Sequence, residues 1–183
     1  MARYTHIHSK FSAFRDLLSN IDLTIQTHTV LKERPLAKIS IIDSPIPNFK
    51  TLLIKDYLGK TRLWDYIPRP GQEIGQSTAW GPHKIACYLE QACPTKLTPT
   101  PIACTIDTKF GCHRYSILIQ EYCPDSPLLE TYYNTLQTEA PKQTLALRLG
   151  QQLAKLHKCR VFHGDAHVNN VIVHQETPLF IDL

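Results

Sequence analysis

The sequence predicts an α+β fold, in which an antiparallel sheet carrying one helix is followed by a long amphipathic helix, a polar loop and a short hairpin. Three observations predict it. Short β-rich runs separated by turn residues fill the first two thirds of the chain. A leucine stripe at helical spacing runs from Pro141 to His157. Beyond it, the polar stretch HGDAHVNN precedes two apolar triplets that flank a turn. The chain has 183 residues, enough for one sizeable core or two small lobes. With 43% hydrophobic and 20% charged residues, its composition argues against disorder or a fibre.

Each element has its own signal. Between Phe11 and Leu23, the residues Phe14, Leu17, Leu18 and Ile21 share one helical face, which predicts a short amphipathic helix. Two strands are expected next, at Ala37–Ile42 and Phe49–Tyr57, around the proline-containing turn Asp43–Asn48. A Pro- and Gly-rich loop at Ile67–Gly71 leads to a helix expected from about Pro82 to Ala92. Further strands are expected at Ile102–Asp107 and Tyr115–Tyr122, joined by a turn at Lys109–Gly111. On the long helix, Leu145, Leu149, Leu153 and Leu156 form the stripe, and Lys142, Gln152 and Lys155 lie off it. The closing hairpin pairs Val171–Val173 with Leu179–Ile181 across Gln175–Pro178. No repeat or low-complexity tract is visible.

The formal net charge of +4 is a mild bias. It suits an anionic ligand or membrane surface and is too weak to argue for nucleic acid, so no nucleic-acid partner is expected. The cysteines, at positions 87, 93, 104, 112, 123 and 159, form no C-x-x-C pair, which argues against a sulfur-ligated metal. The first residues, MARYTHIHSK, have no apolar stretch of signal-peptide length. A reduced, cytoplasmic protein is expected, with peripheral contact at an inner-membrane surface compatible with its charge.

The loop carries the chemistry. Asp165 and Asn170 are five residues apart, and Asp182 lies twelve further on, at the far end of the hairpin. Folding that hairpin returns Asp182 to the loop. Three oxygen-bearing side chains then converge, as a hard cation such as Mg²⁺ prefers, leaving room for waters and phosphates. Phosphoryl transfer needs this set: a carboxylate for the acceptor hydroxyl and oxygen ligands for the metal.

HGDAHVNN followed by IDL resembles the catalytic loop and metal-binding motif of the protein-kinase-like superfamily, in the HGD form of its small-molecule kinases. The closest resemblance is to bacterial lipopolysaccharide core (Kdo/heptose) kinases, to which the Pro99–Ala103 strand entry is also similar. The resemblance implies a two-lobed fold, residues 1–120 forming an N-terminal extension and N-lobe and residues 121–183 a hinge and partial C-lobe. It implies Asp165 as catalytic base, Asn170 and Asp182 as Mg²⁺ ligands, and His163 as a buried orienting residue. Upstream, Lys55 in TLLIKDY resembles the strand lysine that reaches the phosphates of ATP, with Lys50 and Lys60 as competitors. Gln120–Cys123 resembles the hinge, where the backbone at Glu121 and Cys123 would bind adenine. The implied activity is ATP-dependent phosphorylation of a hydroxyl on a lipopolysaccharide core sugar or related small molecule or glycolipid.

The chain also departs from the family pattern. No G-x-G-x-x-G is present, and Ser44–Asn48 occupies the turn before the Lys55 strand. Pro82 stands about where the family has its lysine-pairing glutamate, leaving Glu73 and Glu90 as nearby carboxylates. The family's C-lobe continues past the equivalent of Leu183, so the chain reads as C-terminally truncated, with exposed apolar surface and a tendency to self-associate. Two alternatives follow: a catalytically impaired pseudokinase, and an aminoglycoside-type phosphotransferase. A different class, a hydrolase binding metal through His163, Asp165 and His167, would leave Asn170 and Asp182 unexplained. His167 reads equally as a substrate contact or a surface residue.

Overall fold

The computed structural model describes residues 2–19, 29–34, 37–57, 79–109 and 112–183. The expected Ile67–Gly71 loop, Lys60 and Glu73 lie outside them, as does most of the Lys109–Gly111 turn. The described residues form two compact units, Met1–Lys84 with Pro101–Tyr122, and Ile85–Thr100 with Cys123–Leu183.

The first unit is built on a six-stranded antiparallel sheet ordered β1-β5-β6-β4-β3-β2. Its strands are β1 (Ala2–Ile7), β2 (Thr29–Arg34), β3 (Ala37–Asp43), β4 (Thr51–Tyr57), β5 (Pro101–Lys109) and β6 (Cys112–Glu121). The inner four are those the sequence predicts; the two edge strands are not. The reason is in the residues. ARYTHI and TVLKER carry polar or charged side chains at most positions, as edge strands do, so neither shows a clean apolar alternation. β1 is held by pairing with β5 and by Arg3, whose guanidinium donates twice to the Asp107 carboxylate, at 2.7 and 2.9 Å.

Register divides the sheet into two faces. Ile54, Ile119, Ala103 and Ile7 lie opposite one another in a row and join a core with Leu52, Ile117, Phe11 and Leu18. That face is covered by the segment after β1, a 3₁₀ turn at Ser9–Phe14 running into helix α1 at Arg15–Ser19. The single amphipathic helix expected at Phe11–Leu23 is thus two short pieces within the described residues. The opposite face carries the row Ile39, Lys55, Leu118, Cys104 and His6. Here Cys104, Ile106 and Leu118 pack with Ala79 and Trp80 at the start of helix α2 (Trp80–Ala92).

Missing β2 also displaced one assignment. Lys55 sits on the third of three consecutive strands, β2, β3 and β4, so Ser44–Asn48 joins the second and third of them. The residues between the first two, 35–36, lie outside the described set.

The second unit takes up most of α2, then helices α3 (Leu129–Thr135) and α4 (Glu139–Lys158) and the hairpin β7 (Val171–His174) and β8 (Thr177–Phe180). Leu89, Leu97, Leu129, Leu145, Leu156, Val171, Val173 and Phe180 form its core. The long helix buries Leu145 and Leu156 as expected, while Leu149 and Leu153 are only half-buried. Gln152, read as an outward residue, is buried instead. Its carboxamide donates to the carbonyls of Lys96 at 3.4 Å and Pro178 at 3.3 Å, which repays its desolvation. Between β7 and β8, Gln175 and Glu176 both take left-handed backbone, as a two-residue hairpin turn requires. No helix among the described residues is long and apolar enough to cross a membrane.

Candidate active site

Helix α4 stops with a tight cap that aims the chain into the loop. Val161 N–H donates back to the Leu156 carbonyl at 3.2 Å, and Arg160 adopts left-handed backbone, φ 58°. Val161 then packs on the core, Phe162 points out against His157, and His163 turns in.

His163 is fixed by both ring nitrogens. Nδ1 accepts the Asp165 backbone N–H at 3.4 Å, so Nε2 carries the proton and donates to the Ile181 carbonyl at 3.1 Å. The ring meets Phe180 edge-on, with centroids 5.9 Å apart. One buried imidazole therefore joins the loop to the end of β8. With both nitrogens engaged it cannot ligate a metal, which removes the His163–Asp165–His167 hydrolase reading.

Asp165 is exposed at the turn. The Asn170 amide donates to the Asp165 carbonyl at 3.0 Å and to its carboxylate at 3.2 Å. His167 lies on the other side, with Nε2 3.3 Å from the same carboxylate oxygen. His167 Nδ1 accepts from Asn169 N–H at 3.1 Å, which fixes the ring and directs its Nε2 side towards Asp165. The Asp165 carboxylate thus accepts from the Asn170 amide, with the His167 ring beside it.

Asn170 closes a 3₁₀ turn, Val168–Asn170, and leads into β7. The register Val171 opposite Phe180 continues one step, and Ile181 N–H donates to the Asn170 carbonyl at 2.9 Å. Asp182 is the next residue, with left-handed backbone at φ 59°. The hairpin therefore returns Asp182 to the level of Asn170. Because both amide protons of Asn170 face Asp165, its Oδ1 is the atom left to meet a cation. An amide oxygen and the Asp182 carboxylate suit Mg²⁺, which takes few protein ligands. Among the described residues no three His, Cys, Asp or Glu side chains form a metal cage.

The upstream residues lie on β4 and at the end of β6. Lys55 is 6% exposed in the middle of β4, opposite Ile39 and Leu118. Lys50, its described competitor, is exposed beyond the strand's start. A buried strand lysine needs an anionic or polar partner, unlike a solvated one. Glu121 ends β6 opposite Leu52, and Cys123 is buried two residues on. Glu90, on α2, is half-buried. The residue that sequence reasoning underrated is His167, whose spacing from Asp165 was visible but whose ring orientation depends on Asn169.

A six-stranded antiparallel sheet with a helix, followed by helices, a polar loop and a hairpin, is the protein-kinase-like α+β fold. The chain is similar to maize SIRK1 (sucrose-induced receptor kinase 1), a kinase domain solved bound to AMP-PNP, with TM-score 0.59 and 14% identity over 98% of this chain and 57% of that one. It is similar to WaaP in complex with acyl carrier protein, with TM-score 0.61 and 12% identity over 96% of this chain and 66% of that one. The Drosophila melanogaster PAN3 pseudokinase matches with TM-score 0.52 and 15% identity, over 85% of this chain and 42% of that one. Within this fold, residues 94–183 match the model of the lipopolysaccharide kinase (Kdo/WaaP) family. No curated protein matches the chain by sequence. The chain spans under two thirds of the solved kinase chains it resembles.

Proposed function

We propose that the chain carries the nucleotide site and catalytic loop of a cytoplasmic kinase that transfers phosphate from ATP to a hydroxyl of a lipopolysaccharide core sugar, Kdo or heptose. The observation that carries this reading is the interlock of Asp165 and Asn170, with Asp182 returned beside them by the hairpin, inside a segment that matches the Kdo/WaaP family. Asp165 orients the acceptor hydroxyl and takes its proton. Asn170 and Asp182 would hold Mg²⁺, which supplies charge neutralisation at the phosphates. Lys55 reaches the nucleotide phosphates, and the backbone at Glu121 and Cys123 binds adenine. The acceptor is a glycolipid at the inner-membrane surface, towards which the mild positive charge is favourable.

A second reading, nucleotide binding without turnover, is favoured by one feature. No glycine lies between Thr29 and Tyr57, so neither turn joining β2, β3 and β4 can offer glycine-rich backbone to phosphate. One experiment separates the two. Thermal shift with Mg-ATP is measured on the wild type, Lys55→Met and Asp182→Ala, and then phosphate transfer to Kdo and heptose acceptors is assayed. Stabilisation that both substitutions weaken, with transfer, supports the kinase. Stabilisation without transfer to any acceptor supports the second reading, and no nucleotide-dependent shift overturns both.

A further inference from the structure

We propose that the C-terminal end of α4, with Tyr88 of α2 beside it, is a docking surface for an anionic lipid bilayer. The chain's positive charge is gathered there. Between Glu139 and Asp165 there is no acidic residue, while Lys142, Arg148, Lys155, Lys158 and Arg160 are cations, so this segment alone carries more positive charge than the net +4 of the whole chain. Lys142 and Arg148 are neutralised locally, by Glu139 at 3.1 Å and Glu176 at 2.7 Å. Lys155, Lys158 and Arg160 form no ion pair among the described residues, and Lys158 and Arg160 are exposed.

A helix C-terminus favours cations in its last turn, which accounts for Lys155 and Lys158. It does not account for Arg160, which lies beyond the helix with left-handed backbone, nor for the rings around it. Phe162 is 74% exposed and lies against the exposed ring of His157, with centroids 4.9 Å apart. Tyr88 is 48% exposed, and its hydroxyl donates to the Cys159 carbonyl at 3.1 Å, which brings a second aromatic ring to the same helix end.

A lipid interface makes two demands that this arrangement meets. Its phosphate headgroups attract Lys and Arg, and the boundary beneath them accepts aromatic rings. The charges alone would suit any polyanion; the exposed rings select a surface with an apolar layer under its charge. Phe162 directly precedes His163, so the docking surface sits at the base of the catalytic loop. The inference rests on the proposed function for its purpose, by naming the surface that meets the bilayer holding a glycolipid acceptor. Binding itself requires neither ATP nor transfer.

The test is co-sedimentation of the full chain, without nucleotide, with sucrose-loaded vesicles of phosphatidylcholine mixed with phosphatidylglycerol or of phosphatidylcholine alone. The wild type should pellet with the anionic vesicles, leave the neutral ones, and bind more weakly as salt is added. Lys158→Gln with Arg160→Gln should lower the partition coefficient about 20-fold, at about fivefold per cation. Lys10→Gln with Lys32→Gln removes the same net charge from exposed positions of the first unit and should change it far less. Phe162→Ala should lower it roughly tenfold and leave the salt dependence in place. The wild-type dependence on lipid charge decides the matter even if a variant fails to fold. No binding to anionic vesicles, equal binding to neutral ones, or equal losses in the two double variants would each overturn the proposal. Unchanged binding by Phe162→Ala, with equal retention of the wild type on polyglutamate, would overturn it in favour of an acidic protein partner. Vesicle binding without phosphate transfer would count against the proposed function and leave this surface standing, whereas loss of vesicle binding leaves transfer to soluble acceptor sugars untouched.

Discussion

The Asn170 side-chain amide bonds Asp165 twice, to its carbonyl at 3.0 Å and to its carboxylate at 3.2 Å. One side chain thus orders the loop and turns its own oxygen away from Asp165. Asn170→Ala removes both bonds and that oxygen. Because the site is exposed, stability should fall by no more than about 1 kcal/mol in urea titration. The nucleotide-dependent thermal shift should fall much further. A stability loss with no change in nucleotide response would separate the structural role of Asn170 from its proposed place at the metal.

Gln152 is the polar member of an otherwise apolar helix face. Its removal takes a donor from two carbonyls, that of the buried Pro178 and the part-buried one of Lys96. Gln152→Leu, similar in volume, should therefore destabilise the chain by about 1–3 kcal/mol, read as a lower denaturation midpoint with unchanged slope. Equal stability would show that those carbonyls have found other donors.

Acid should loosen the first unit at α2. His83 is fully buried and meets His6 at 2.8 Å; desolvation, and then the nearby His6 and His8, lower its pKa from 6.5 to about 3. His6 is lowered too, first by burial and then by His8, Arg15 and Lys84. The unfolded chain therefore binds more protons than the folded one across this window. Stability is complete above about pH 6.5 and declines towards about 3, with His83 contributing a few kcal/mol of the loss. In stability measured against pH, His83→Leu should flatten this slope, and an unchanged slope would place the acid sensitivity elsewhere.

The sequence by itself determined the fold class, the inner four strands, both longer helices and the closing hairpin, because each has a local apolar period or turn signal. It also determined the loop's chemistry, since HGDAHVNN and IDL are contiguous and their return through a short hairpin follows from strand geometry. Tertiary structure decided what depends on pairing at a distance. β1 and β2 are polar edge strands with no period of their own, and only pairing with β5 and β3 makes them strands. That pairing set Lys55 on the third of three strands, with Ser44–Asn48 joining the second and third. Gln152 became a core residue because two carbonyls distant in sequence needed its protons.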